Sequence, residues 1–151
     1  MPADPSSAAF FVALGALASE GELTLPDVCL NPTRNGFMAV MRRMGADIRE
    51  TAGQLKAGDE TGTVRVRPAA LSGVRITESE VPSLIDELPL IACVAAAAGI
   101  DIEISGAAEL RVKESDRIST VVRNLRAVGA EAEELPDGLR VSASRRELSG
   151  T

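Results

Sequence analysis

The run Phe37-Met38-Ala39-Val40-Met41-Arg42-Arg43-Met44-Gly45-Ala46-Asp47-Ile48 has a second copy in Val121-Val122-Arg123-Asn124-Leu125-Arg126-Ala127-Val128-Gly129-Ala130-Glu131-Ala132, displaced by 84 positions (121 − 37 = 84). Phe37, Met38, Met41 and Met44 recur at helical spacing, as do Val121, Val122, Leu125 and Val128, so each run predicts a helix with one apolar face. Gly45 and Gly129 stand where such a helix needs a left-handed residue before the next strand. The repetition extends outward. Upstream, Ser6–Gly21 and Leu84–Gly99 are Ala-rich, apolar and end in glycine, and each is predicted to be a helix. Short alternating segments follow them, Glu22–Val28 and Ile100–Ser105, which read as strands. Gly62–Arg67 closes the first copy as a strand, and Gly138–Ser142 closes the second after the turn Pro136-Asp137-Gly138. The pattern predicts an α/β fold built from a unit of about 70 residues used twice. The first unit is read as residues 1–75 and the second as 76–145, with 146–151 as a tail.

A chain of 151 residues is long enough to bury a substantial core. With three Phe and neither Tyr nor Trp, that core must be packed from Ala, Val, Leu and Ile. There is no His, which removes a His base, a Ser-His triad and a His-ligated metal site from consideration. Cys29 and Cys93 lie far apart in apolar surroundings, and both are expected to be buried free thiols with no metal or redox role. A net charge of −6 argues against nucleic acid or an anionic membrane surface as the main partner. The apolar run from Ala8 to Ala18 is shorter than the roughly 20 residues that a bilayer demands. Met1-Pro2-Ala3-Asp4 lacks the basic start of a signal peptide, so a cytoplasmic location is expected.

The two copies differ between the strand and the second helix. The first has Cys29-Leu30-Asn31-Pro32-Thr33-Arg34-Asn35, and the second has the longer Gly106–Arg117. The scaffold is shared, so the additional residues are the expected seat of chemistry. Five of the seven residues in Arg111-Val112-Lys113-Glu114-Ser115-Asp116-Arg117 are charged, in both signs, at the mouth of a helix. Ser115 or Asp116 can cap that helix, and either choice puts Arg117 in its first turn. A cation there opposes the helix dipole. Arg117 is therefore read either as paired with Glu114 or Asp116, or as aimed at a carboxylate or phosphate. Lys113 is read either as a solvated lysine or as a ligand group on a turn at a strand end. Glu114 either neutralises its neighbours or exchanges a proton, which requires its pKa to be raised by desolvation or a nearby anion. Asp86 lies just ahead of a helix with Pro89 at its first position. It either caps that helix, in competition with Ser83 and Glu87, or binds or deprotonates a substrate hydroxyl.

Taken with Leu84-Ile85-Asp86-Glu87-Leu88-Pro89, the run Arg111–Arg117 resembles the C-terminal half of the 5-enolpyruvylshikimate-3-phosphate (EPSP) synthase family. Asp4-Pro5-Ser6-Ser7-Ala8-Ala9-Phe10 and Asn31-Pro32-Thr33-Arg34 are similar to it as well, so the likeness covers nearly the whole chain. Within that likeness, Ile85-Asp86-Glu87 and Asp4–Ser7 look most like the bacterial type that is less sensitive to glyphosate. The related UDP-N-acetylglucosamine enolpyruvyl transferases share the fold but lack the Lys-Glu-Ser-Asp-Arg signature.

The resemblance implies two tandem βαβαββ repeats of the enolpyruvyl transferase fold, forming part of one lobe. It implies transfer of the enolpyruvyl group of phosphoenolpyruvate to the 5-hydroxyl of shikimate 3-phosphate, through a tetrahedral intermediate, with release of phosphate and without cofactor or metal. Asp86 and Glu114 would be its catalytic residues. Asp86 would hold the 5-hydroxyl and accept its proton. Glu114 would protonate the methylene carbon of phosphoenolpyruvate and later deprotonate the methyl group. Lys113 would contact shikimate 3-phosphate, and Arg117 would bind phosphoenolpyruvate. An intact member has two lobes of three units each, so this chain would lack the N-terminal lobe with its Lys and Arg clamp. It would also lack the third C-terminal unit with its Gly-Asp-His-Arg segment. Weak or no activity is therefore expected of the chain alone, together with an exposed apolar flank prone to self-association. The reading from a different class is a non-catalytic α/β module that binds anions or a partner protein through the same loop.

Overall fold

Val64 and Val66 alternate with Arg65 and Arg67 along one strand, the first pair buried and the second exposed. Such a period-two pattern makes a sheet with one face for the core and one for water. The computed structural model describes residues 3–56, 58–144 and 148–149, and the chain divides into two compact units between Leu71 and Ser72.

The first unit opens with helix α1 (Pro5–Leu17). Asp4 caps it by accepting from the backbone N–H of Ser7 at 2.9 Å and from its hydroxyl at 3.1 Å. Ala8, Ala9, Val12, Ala13 and Ala16 face the core. The helix stops at Leu17 and not at Gly21, because Ala18 is already extended and the carbonyl of Ala16 accepts from the Ala69 N–H. Gly21, at φ 98°, instead turns the chain into strand β1 (Leu23–Cys29). Helix α2 (Gly36–Arg43) ends as expected at Gly45, with φ 100°. A hairpin of β2 (Asp47–Lys56) and β3 (Asp59–Arg67) follows. Both β1 and β2 pair antiparallel with β3, giving the order β1-β3-β2, and Ala3 adds a single parallel bridge to Val28 of β1.

The second unit repeats that path in full: β4 (Val74–Ile76), α3 (Leu88–Ala98), β5 (Ile102–Ile104), α4 (Arg117–Ala127), β6 (Glu131–Leu135) and β7 (Gly138–Ser142). The sheet order is β4-β5-β7-β6, with β4 and β5 parallel and the other pairs antiparallel. This is a βαβαββ unit, and the lone bridge at Ala3 occupies in the first unit the place that β4 takes here. The sequence reading set the boundary inside β4, at 75/76; three residues are too few to display a period. Helices α3 and α4 pack over the sheet, burying Ile102, Ile104, Leu139 and Val141 beneath them. On the opposite face Arg140 lies across from Glu103 and Glu133 and bonds to both, which holds the Glu103 carboxyl below the usual carboxylate range.

Several expected bounds contract. Helix α3 starts at Leu88 and not at Leu84, because Leu84–Glu87 forms turns after a 3₁₀ turn at Val81–Ser83. Pro89 is its second residue, and Gly99 ends it at φ 66°. Strand β5 keeps only three of the six residues read as strand. Cys29 is buried as expected, but Cys93 is exposed. Leu88, Ile91, Ala92, Val94 and Ala95 fill the inward arc of α3, and residue 93 falls opposite to it. On the outer face of α1, Phe10, Phe11 and Leu14 are each more than half exposed. Of the tail at 146–151, residues 146, 147, 150 and 151 lie outside the described residues, while the Ser149 N–H donates to the Val128 carbonyl at 3.0 Å. Among the described residues no helix is long and apolar enough to cross a membrane.

Gly138 has no room for a side chain, since a Cβ there would sit on the Ile104 carbonyl oxygen. Gly138→Ala is expected to lower unfolding stability by more than about 2 kcal/mol through forced separation of β5 and β7, measured by urea denaturation. Asp4→Ala, which uncaps α1 and removes the exposed 2.8 Å ion pair with Arg34, should cost about 1 kcal/mol in the same assay.

Candidate active site

The charged run sits in the longer connection between β5 and α4. Gly106, at φ 74°, turns the chain away from the strand, and a 3₁₀ turn at Ala108–Arg111 follows. Lys113 and Glu114 therefore lie on a bend beyond that turn, and not directly at the strand end as expected. Asp116, and not Ser115, is the N-cap of α4; its carboxylate accepts from the Ser119 N–H at 3.0 Å and the Ser119 hydroxyl at 3.1 Å. That cap makes Arg117 the first residue of α4, as the sequence predicted.

Arg117 gathers the two acids. Its Nη1 donates to Asp86 Oδ1 at 3.1 Å, and its Nη2 donates to Glu114 Oε2 at 3.1 Å. Residues 28 positions apart in sequence (114 − 86 = 28) thus meet on one guanidinium. Asp86 does not cap α3: the N-cap is Glu87, with no side-chain bond, so the capping alternatives at Ser83, Asp86 and Glu87 all fall away. Of the two pairings read for Arg117, the one with Glu114 forms, while Asp116 turns to Arg111. Lys113 Nζ pairs with Glu109 at 3.3 Å, one turn back.

The burial of these groups is uneven. The side chain of Arg117 is 32% exposed, against 62% for Asp86 and 83% for Glu114. Arg117 is therefore the anchored member, and the carboxylates reach it from solvent. The Glu114 carboxyl is held below the usual carboxylate range, first by its own backbone N–H and then by the Arg117 guanidinium, with Lys113 adding to the effect. Asp116 is also held low, first by the Ser119 N–H and then by Arg111. As arranged, the site sets two acidic side chains, both open to solvent, beside the half-buried Arg117 and Lys113. It can bind an anion at Arg117 and Lys113, and it can exchange protons only once Glu114 has left Arg117.

A second set of contacts lies behind this surface. Arg111 Nη1 donates to Asp116 at 2.8 Å and to Glu134 at 3.2 Å, while Nε and Nη2 reach the carbonyls of Pro136 at 2.9 Å and Leu135 at 2.6 Å. The Ser119 hydroxyl also reaches Glu134 at 2.8 Å. The sequence reading gave no role to Arg111, Ser119 or Glu134. The one signal available was an Arg and an Asp bracketing the bend, five residues apart. Among the described residues no group of three or more Cys, Asp or Glu side chains is placed to hold a metal ion.

The family model of EPSP synthase (3-phosphoshikimate 1-carboxyvinyltransferase) matches residues 1–151. The chain is 48% identical over 145 residues to the 3-phosphoshikimate 1-carboxyvinyltransferase of Desulfitobacterium hafniense strain DCB-2, covering 96% of this chain and 33% of the relative. It is 48% identical over 151 residues to that of Persephonella marina, covering 99% of this chain and 35% of the relative. Among solved structures, EPSP synthase from Acinetobacter baumannii superimposes with a TM-score of 0.90 at 34% identity, over 97% of this chain and 33% of that one. The chain thus spans about a third of the length of the relatives it matches, in the enolpyruvyl transferase fold. By the match of the family model along the whole chain and by its fold, the chain belongs to the EPSP synthase family.

Proposed function

We propose that this chain supplies one wall of a cytoplasmic EPSP synthase site, with Asp86, Lys113, Glu114 and Arg117 as its working groups. The observation that carries this reading is the meeting of Asp86 and Glu114 on the Arg117 guanidinium, both at 3.1 Å. The reaction is transfer of the enolpyruvyl group of phosphoenolpyruvate to the 5-hydroxyl of shikimate 3-phosphate. Asp86 takes the hydroxyl proton, and Glu114 protonates the methylene carbon as the new C–O bond forms. Glu114 then recovers a proton from the methyl group while phosphate departs, carrying the proton that Asp86 accepted. Lys113 holds shikimate 3-phosphate, and Arg117 holds phosphoenolpyruvate.

The geometry gives a physical reason for the order of events. With Arg117 paired to it, Glu114 stays ionised and cannot donate a proton. An incoming anion that claims Arg117 strips Glu114 of its cation and brings negative charge close to it. Both changes raise its pKa toward the range in which a carboxyl serves as an acid. Substrate arrival thereby arms the acid. The remaining cations around the substrates would come from the N-terminal lobe and the third unit of the C-terminal lobe. Without them the positioning and electrostatic contributions are cut together, and the chain alone is expected to be weakly active or inactive.

Lys113→Ala should weaken shikimate 3-phosphate binding roughly tenfold, and Arg117→Ala should weaken phosphoenolpyruvate binding by a similar factor, both read by calorimetry. Shikimate 3-phosphate affinity that survives Asp86→Ala and Lys113→Ala would count against the proposal and favour an anion-binding module with a different site. A second expectation concerns pH. The folded pKa of Glu114 is depressed, so its pairing contributes stability above the unfolded carboxylate range and loses it as pH falls through the folded value. Phosphoenolpyruvate should move the Glu114 midpoint upward in a carbon-detected carboxyl titration. A midpoint that stays put would sink the arming step.

A further inference from the structure

We propose that Arg111 is a positioning residue that sets the bend carrying Lys113 and Glu114. Two of the five charges in Arg111–Arg117, Arg111 and Asp116, have no part in the reaction as proposed, yet they bond to each other at 2.8 Å across the bend. Val112–Ser115 is thus closed at its base like a ring. The same guanidinium fastens that base to the β6–β7 turn through the Leu135 and Pro136 carbonyls and through Glu134. Its side chain is 27% exposed, beside 83% for Glu114. The more enclosed group therefore carries the base of the bend, and the exposed acid stands out from it.

The planar fork of arginine explains why this residue type is needed. Four acceptors from two chain segments surround one group, and a lysine ammonium cannot meet two carbonyls and two carboxylates in those directions. Asp116 is shared between two tasks. Its Oδ1 accepts from the Ser119 N–H, and its Oδ2 accepts from Arg111. The start of α4 and the closure of the bend are therefore set together. Because Arg117 is the next residue, any slip at Asp116 moves the guanidinium on which Asp86 and Glu114 converge. Arg111 acts through that geometry and touches neither acid of the triad.

The benefit to the site depends on the proposed roles of Lys113 and Glu114, so the test separates the two ideas. Arg111→Lys keeps the charge and removes the fork; Asp116→Asn keeps a helix cap and removes the charged partner. In the whole 151-residue chain, both variants should leave the urea midpoint of the core nearly unchanged. Both should speed amide exchange at residues 112–116 by roughly tenfold. Both should also move the Glu114 carboxyl titration upward, since its backbone and Arg117 partners are no longer held in place; Asp86, Lys113 and Arg117 are the other charged groups that share this surface with Glu114. Exchange and titration that match the unmodified chain in both variants overturn the proposal. If the unmodified chain binds shikimate 3-phosphate, its affinity should fall roughly tenfold in both variants. If it does not bind, the reading of the reaction fails, and the exchange and titration results still decide the role of Arg111.

Discussion

The close approach of the β6–β7 turn to the end of β5 is the constraint on which the second unit depends. Gly138 brings its backbone against the Ile104 carbonyl, which only a residue without a Cβ allows. Once there, the turn offers acceptors to the segment leaving β5. Asp137 takes the Gly106 N–H at 2.7 Å on its carboxylate and the Ala107 N–H at 2.6 Å on its carbonyl. Leu135 and Pro136 then take Arg111. A hairpin turn thereby becomes the floor under a chemically loaded bend. Sheet register, turn type and loop position are one decision.

The two units show how a repeated scaffold acquires a site in one copy. Both have a 3₁₀ turn between the second strand position and the second helix, at Pro32–Arg34 and Ala108–Arg111. In the first unit the chain then enters α2 almost at once, and Asn31 serves as a local cap by accepting from Thr33. In the second, the inserted bend separates the turn from α4 and leaves Glu114 exposed, with Lys113 half-buried beside it. The added length is tolerated because it is tied at both ends, and short surface insertions cost little closure entropy. The length was added where the scaffold did not have to change.

Much of this was legible in the residues. Helical periodicity with Gly45 and Gly129 fixed α2 and α4 closely, and alternation found the whole of β7 and Gly62–Arg67 of β3. The bounds of α1 and α3 were not legible, because Ala-rich runs carry no period that distinguishes a helix from the apolar turn beside it. Strand β4 was invisible because three residues are too few to display a period. For the site, the charged bend offered Glu114 as one of two partners for Arg117, and only the family resemblance grouped Asp86 with them; the structure joins all three. Cys93 went astray because an apolar neighbourhood in sequence says nothing about which arc of a helix a residue occupies. The work of Arg111 was hidden because its partners, Glu134 and two backbone carbonyls, come from a turn more than twenty residues away.

The staple at Arg111 and the triad at Arg117 are both made of ion pairs at the edge of solvent, whereas the sheet beneath is held by aliphatic side chains. These two kinds of cohesion answer differently to ionic strength. At molar salt the Debye length shrinks to about 3 Å, and pairs open to water lose much of their attraction. Burial of Ile102, Ile104, Leu139 and Val141 is not weakened by that screening and is strengthened by excluded salts such as sulfate. A concentrated sulfate solution should therefore hold a well-folded second unit with a loosened bend. Its chemistry can be softened by salt while its architecture hardens.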